Sequence, residues 1–249
     1  MKLETWIRLA VVATLIAAVE LLCRTGIIPN VVMVAPSEMV VELISILKSG
    51  EMIDDITATF VSVAIATIIV VFAGFVIGVT IHAVPQLRTS VEPLLASYYA
   101  VPTFMFYPVF IVLFGVGSAP IIAIAVLLAI VAMITSTLNG LDRIPNVLRK
   151  TARIHRLSRV ATAALVELPA AAPYLFTGVK LAVAYAFIGV IASEFILSGS
   201  GLGYEIAYAY NNFENRKMYA LMLLVLTSVT LVNSLLNAVD NRLQARQHR

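Results

Sequence analysis

Six apolar runs, each near the length of a bilayer-crossing helix, divide this chain. They extend over Trp6–Leu22, Ile56–Ile81, Tyr98–Phe114, Ala119–Leu138, Tyr174–Leu197 and Met218–Val239. About 20 apolar residues at 1.5 Å rise per residue cover the hydrocarbon core. A backbone in lipid must satisfy its own polar groups, so runs of this length specify helices. Only 12% of the 249 residues are charged, and the mean hydropathy is +0.97. A soluble domain carries about 25% charge, so half that density cannot cover a water-facing surface. The expectation is one all-α integral membrane domain over 1–249 with six transmembrane helices. Gly115-Val116-Gly117-Ser118 serves as a tight turn between antiparallel spans three and four.

Orientation follows from the cations, because Lys and Arg accumulate in cytoplasmic loops. With the N-terminus inside, Lys2, Arg8, Arg88, Arg143, Arg149, Lys150, Arg153, Arg156, Arg159, Arg242, Arg246 and Arg249 share the inner side. Only Arg24, Lys48, Arg216 and Lys217 fall outside, which predicts an N-in/C-in protein. The run to Leu22 is long for a signal sequence, and Cys23-Arg24-Thr25 is no cleavage site, so the first span is read as retained. Between spans one and two, Pro36-Ser37 precedes a short amphipathic segment in which Ser37 can cap a helix and Gly50 can end it. It lies either flat on the outer interface or packed as a lid on the spans.

Several classes of chemistry are missing from the sequence. It has no P-loop, no H-E-x-x-H, no G-x-S-x-G and no EF-hand pattern. The lone Cys23 supports neither a disulfide framework nor a Cys/His metal site. No catalytic, cofactor-binding or metal-ligating residue is expected. The cations are placed as membrane topology requires, so nucleic acid is not an expected partner. Lys180 is near enough to the inner end of span five to snorkel. Glu194 is ~30 Å beyond Pro173 along the helix and falls near the outer face. Ion-driven carriers place ionisable groups near the midplane. Their absence counts against a stand-alone channel or secondary carrier, the alternative reading, and points to energy supplied by another subunit.

The longest polar interruption runs from Asp142 to Pro173 and holds Arg143, Arg149, Lys150, Arg153, Arg156 and Arg159, with His155. Asn146 to Glu167 contains neither Pro nor Gly, which permits one helix, started at Pro145 and stopped by Leu168-Pro169. A seam at Ile154, Leu157, Ala161 and Leu165 has helical spacing, opposite Arg149, Arg153, Arg156 and Arg159. Such a segment either touches anionic lipid or docks a soluble partner.

The same segment resembles the cytoplasmic motif of bacterial ABC importer permeases: Glu-Ala-Ala, three residues, Gly, nine residues, then Ile-x-Leu-Pro. Lys150-Thr151-Ala152 occupies the Glu-Ala-Ala positions, Arg156 the Gly position and Val166 the Ile position ahead of Leu168-Pro169, without a gap. Ser158-Arg159 is also similar to the family. Phe114-Gly115-Val116-Gly117, Gly178-Val179-Lys180-Leu181-Ala182, Ser193-Glu194-Phe195 and Gly201-Leu202-Gly203-Tyr204 resemble the nitrate/sulfonate/taurine group in order and spacing. The resemblance implies a type I ABC importer permease in the bacterial inner membrane. Its partners would be a second permease subunit (identical or not), an ATP-binding subunit that carries ATP and Mg, and an extracytoplasmic solute-binding protein. Sulfonate, taurine, nitrate, aromatic acids and vitamin precursors all fit as solute. Lys150, Thr151, Ala152, Arg153, Arg156, Leu157, Ser158, Arg159, Leu168 and Pro169 would couple to the ATPase, with Lys150 reversing the charge of the family's Glu.

Two stripes could line a path. Tyr99, Thr103 and Tyr107 recur every four residues on span three, and Tyr185, Gly189 and Ser193 do so on span five. The alternative is ordinary interhelical packing and hydrogen bonding. Gly74 and Gly78 form a small-xxx-small packing site on span two. Outside, Glu194, Gly201 and Gly203 form an outer gate or a binding-protein contact, or else an interfacial carboxylate beside a glycine turn.

Overall fold

The computed structural model describes residues 3–247, and these residues form helices and turns with no strand. In chain order the helices are α1 (Leu3–Arg24), α2 (Pro36–Ser49), α3 (Ile53–Ala83), α4 (Pro85–Ser97), α5 (Tyr107–Phe114), α6 (Ser118–Asp142), α7 (Asn146–Ile154), α8 (Arg159–Thr162), α9 (Leu168–Leu197), α10 (Leu202–Asn211) and α11 (Asn215–Gln247). Of the expected inner cations, Lys2 and Arg249 lie outside the described residues, as do the side chains of Arg8, Arg242 and Arg246. Among the described residues, four helical segments are long and apolar enough to cross a bilayer: Ile53–Ala83, Ser118–Asp142, Arg159–Leu197 and Asn215–Asp240. A bent pair, Pro85–Ala100 with Thr103–Phe114, makes a fifth if it is one span.

That bend falls inside the third span expected over Tyr98–Phe114, at Pro102, one of the two prolines able to perturb the helix there. The helix axis turns by 93° at Val101-Pro102, where both residues are extended. Proline disfavours helical geometry in the residue before it and cannot donate to the helix ladder. The α5 helix therefore starts afresh at Tyr107, with Pro108 in its first turn.

The chain forms two compact units. One comprises Phe60–Ser193 and Val229–Arg249. Its centre is α6, which buries Ile124, Ala125, Ala129 and Met133 completely or nearly so. Small residues let α3 and α9 approach this helix closely. A Cβ on Gly74 would stand 2.8 Å from Met133 Cβ, and one on Gly78 2.7 Å from Thr137 Cβ. From the α9 side, a Cβ on Gly178 would meet Ser136 Cβ at 2.7 Å, and one on Gly189 would meet Ala125 Cα at 2.6 Å. Lipid offers no hydrophobic drive between helices, so packing of this closeness supplies the association. The Arg88 guanidinium then ties α4 to the end of α6, donating to both Asp142 oxygens at 2.6 Å.

The Lys180 side chain is partly exposed and paired. Its Nζ donates to Asp240 Oδ2 at 2.6 Å and to Asn237 Oδ1 at 3.3 Å, joining α9 to α11. The Asp240 side chain is 9% exposed. Pairing is what makes a carboxylate tolerable at such burial.

The other unit comprises Met1–Thr59 and Glu194–Ser228. Two of its short helices begin without a side-chain cap of their own. Ser37, expected to cap α2, sits one position inside it instead, because Pro36 takes the first helical position. The cap comes from α1: Glu20 accepts from Ser37 N at 3.0 Å and from Ser37 Oγ at 2.6 Å. The free N–H groups and positive dipole end of a helix favour a carboxylate at this place. Gly50 ends α2 in the left-handed conformation, as its position predicts. The helix buries Met39 and Ile46 while exposing Val41 and Leu47.

Candidate functional site

The basic segment is not one helix. After Ile154 the chain turns at His155, and Arg156 adopts φ +50°. Arg156 N donates to Arg153 O at 3.0 Å and Leu157 N to Ala152 O at 3.1 Å. These two bonds form the Schellman closure, whose left-handed position glycine normally fills. Arg156 is exposed. The glycine expected there thus answers a backbone requirement and not a shortage of space. Ser158 Oγ next accepts from Ala161 N at 3.2 Å and starts α8. A wide π turn over Ala163–Glu167 leads straight into α9. Leu168-Pro169 therefore lies inside one continuous helical run from Arg159 to Leu197 and does not end a helix, the π turn just before it giving the proline ring room in the backbone ladder. The expected start of span five at Tyr174 moves back accordingly, with Pro173 inside the helix.

The resulting helix-turn-helix is held from behind. Arg149 donates to Glu167 Oε1 and to Leu141 O, both at 3.1 Å. Ala152 is buried. Lys150, Arg153, Arg156 and Arg159 are exposed and make no salt bridge among the described residues. Ile154 and Val160 are each 79% exposed beside them. The apolar seam read from the sequence is therefore turned outward at Ile154 and Leu165. The Lys150, Thr151, Arg153, Leu157 and Ser158 positions share this small protruding segment, and Leu168 and Pro169 join it to α9.

The two tyrosine stripes fare differently. The break at Val101-Pro102 lies between Tyr99 and Thr103, so Tyr99, Thr103 and Tyr107 do not share one helix face. Tyr99 instead stacks on Tyr185 with ring centroids 5.9 Å apart, which brings one member of each stripe together. Thr103, Tyr107 and Ser193 are buried. The Thr103 and Ser193 hydroxyls have no hydrogen-bond partner among the described residues. Gly189 is filled by its contact with Ala125.

Glu194 is 2% exposed and faces the start of α10. Three successive N–H groups there each find a side chain. Gly201 N donates to Asp55 Oδ1 at 2.7 Å, Leu202 N to Thr59 Oγ1 at 2.8 Å and Gly203 N to Glu194 Oε2 at 3.0 Å. Thr59 Oγ1 also donates to the Glu194 carboxylate, at 2.8 Å to Oε2. Gly201 has φ +98°. Sequence reasoning singled out Glu194, Gly201 and Gly203 but missed Asp55 and Thr59. Only the i, i+4 spacing of these two residues hinted at a shared face.

The described residues contain no group of acidic, His and Cys side chains able to hold a metal. The fold is that of a polytopic helical membrane protein with a small exposed segment between two crossing helices. The chain belongs to the family of binding-protein-dependent transport system inner membrane components, whose model matches residues 71–247. It is thus a permease of the ABC importer type. A nitrate import permease, NrtB of Leptolyngbya laminosa, is 29% identical over 191 residues, covering 77% of this chain and 67% of that protein. SsuC of Bacillus subtilis, named for aliphatic sulfonate transport, is 24% identical over 231 residues, covering 93% and 84%. The inward-facing MetNI methionine ABC transporter shares the fold, with a TM-score of 0.69 at 18% identity over 77% of this chain and 95% of that one.

Proposed function

We propose that this chain forms half of a translocation path for a small solute in the bacterial inner membrane, with N- and C-termini inside and six spans. A second permease subunit completes the pore, and an extracytoplasmic solute-binding protein delivers the solute. A separate ATPase grips the segment from Lys150 to Arg159. The observation that carries this reading is the exposure of Ile154 and Val160 amid four cations with no salt bridge among the described residues. That surface is short, apolar at its centre and held from behind, as a docking element for a soluble protein requires. Nitrate and sulfonate head the solute classes because relatives carry those names. Taurine, aromatic acids and vitamin precursors are the other small solutes that the resemblance allows.

Reconstitution tests the reading. Solute uptake into liposomes is expected only with ATP, the ATPase and the binding protein. Cysteine at Leu157 or Ser158 is expected to cross-link to the ATPase. Flux from this chain alone, without ATP, would instead identify a channel or secondary carrier.

A further inference from the structure

Phe213 exposes a large apolar ring on a backbone conformation that works against it. Among the described residues, only Arg156 and Phe213 adopt positive φ without being glycine. Phe213, at φ +59°, closes α10 as Arg156 closes α7: its N donates to Tyr210 O at 3.2 Å, and Glu214 N donates to Ala209 O at 2.9 Å. Glycine serves this position without strain, and a bulky residue there is a true outlier. The ring gains nothing in exchange within the chain, since it is 82% exposed. Strain kept at an exposed aromatic marks function more often than folding.

The ring borders an open cavity of about 470 Å3 that is also lined by Glu38, Glu42, Glu214, Arg216 and Lys217. Both cations are committed: Arg216 to Glu38 at 3.1 Å, and Lys217 to Glu205 at 2.8 Å. Glu42 and Glu214 make no salt bridge among the described residues. The cavity lining therefore carries one more acid than base, Glu38, Glu42 and Glu214 against Arg216 and Lys217. Arg24, beside Glu38 and Glu42 on the far side from the ring-bearing turn, is already bound to Glu20. Anionic lipid headgroups are repelled by such a rim, and the aromatic residues enriched at membrane interfaces are Trp and Tyr, which have a polar tip that Phe lacks.

We infer that Phe213 is an aromatic anchor for a soluble extracytoplasmic protein. That partner offers an apolar notch for the ring and Lys or Arg side chains for Glu42 and Glu214. Under the function proposed above, on which this inference rests, it is the solute-binding protein.

The test uses the whole transporter in nanodiscs, with the binding protein that stimulates its ATP hydrolysis as the probe. Phe213→Gly is expected to keep or raise the thermal midpoint, because it relieves the left-handed residue, while weakening binding-protein affinity at least tenfold. Phe213→Tyr should bind like the native chain. A photo-reactive phenylalanine analogue at 213 should cross-link to a binding-protein peptide containing Lys or Arg. Unchanged affinity in Phe213→Gly overturns the anchor and leaves the proposed function standing. Cross-links only to lipid, or to a second copy of this chain, likewise overturn the anchor. A native transporter that responds to no binding protein removes the functional reading itself.

Discussion

The Glu194 carboxylate lies so close over Gly201 that a Cβ added to Gly201 would overlap Glu194 Cδ. Gly201 also has φ +98°, so an L side chain is unfavourable there on two counts. Gly201→Ala is expected to push the carboxylate off the α10 N-terminus and cost about 2 kcal/mol or more. Gly199→Ala, two residues away with nothing within 4 Å of its added Cβ, serves as the control. Thermal unfolding of the detergent-solubilised protein distinguishes them, and equal midpoints would refute the cap.

Thr59 holds the other side of the same cap, donating to Glu194 while accepting from Leu202 N. Thr59→Val keeps the shape and removes both bonds inside a fully buried site. A loss of about 2 kcal/mol is expected, since a buried carboxylate oxygen and an N–H are left unmatched. Thr59→Ser, which keeps the hydroxyl, should lose less than half of that. A Val variant as stable as the Ser variant would show that the hydroxyl contributes nothing.

Arg156→Gly should stabilise the turn after α7 by about 1 kcal/mol, because the left-handed position no longer carries a side chain. Arg156→Val, with a branched Cβ, should be less stable than the native chain. Melting curves of the three proteins should therefore rank Gly, Arg, Val. Any other order contradicts a purely conformational role for glycine at this point of the motif.

Breaking the Lys180–Asp240 pair should be costly. Lys180→Met leaves a buried carboxylate without its main cation, a change worth about 3 kcal/mol. Replacing both residues with apolar ones of similar volume should recover most of that loss. A double-mutant cycle on unfolding midpoints measures the coupling, and strictly additive losses would rule out the pair as a unit.

Lys150 is exposed and unbridged, so Lys150→Glu should leave the melting temperature within about 1 °C of native, as surface changes usually do. Under the proposed function the same change should weaken ATPase docking at least fivefold, measured by co-purification or by binding to nanodiscs. Intact docking after charge reversal at both Lys150 and Arg153 would move the ATPase site elsewhere.

Much of this protein is legible in one dimension. Hydropathy and the scarcity of charge specify a helical membrane protein, because lipid gives the backbone no other way to satisfy its N–H and C=O groups. The Gly74 and Gly78 packing site could be read for a similar reason: close helix approach in lipid demands small residues at one-turn spacing. The spacing from Lys150-Thr151-Ala152 to Leu168-Pro169 located the exposed segment, although the helix assumed to fill it breaks at Arg156. Arg156 is a poor residue for a left-handed turn, and nothing in its own chemistry announces one.

What the tertiary structure alone decided are the partners of polar groups distant in sequence. Glu194 could be read as an outer gate, a binding-protein contact or an interfacial carboxylate, and only the fold shows it buried against Thr59, 135 residues away. Lys180 read as a snorkelling cation, and only the fold supplies its partner Asp240. The tyrosine stripe on the third span depended on a continuous helix, which Val101-Pro102 breaks. Local rules set by backbone solvation and side-chain volume can be read along the chain. The site of a buried charge is settled only when folding brings its donor into reach.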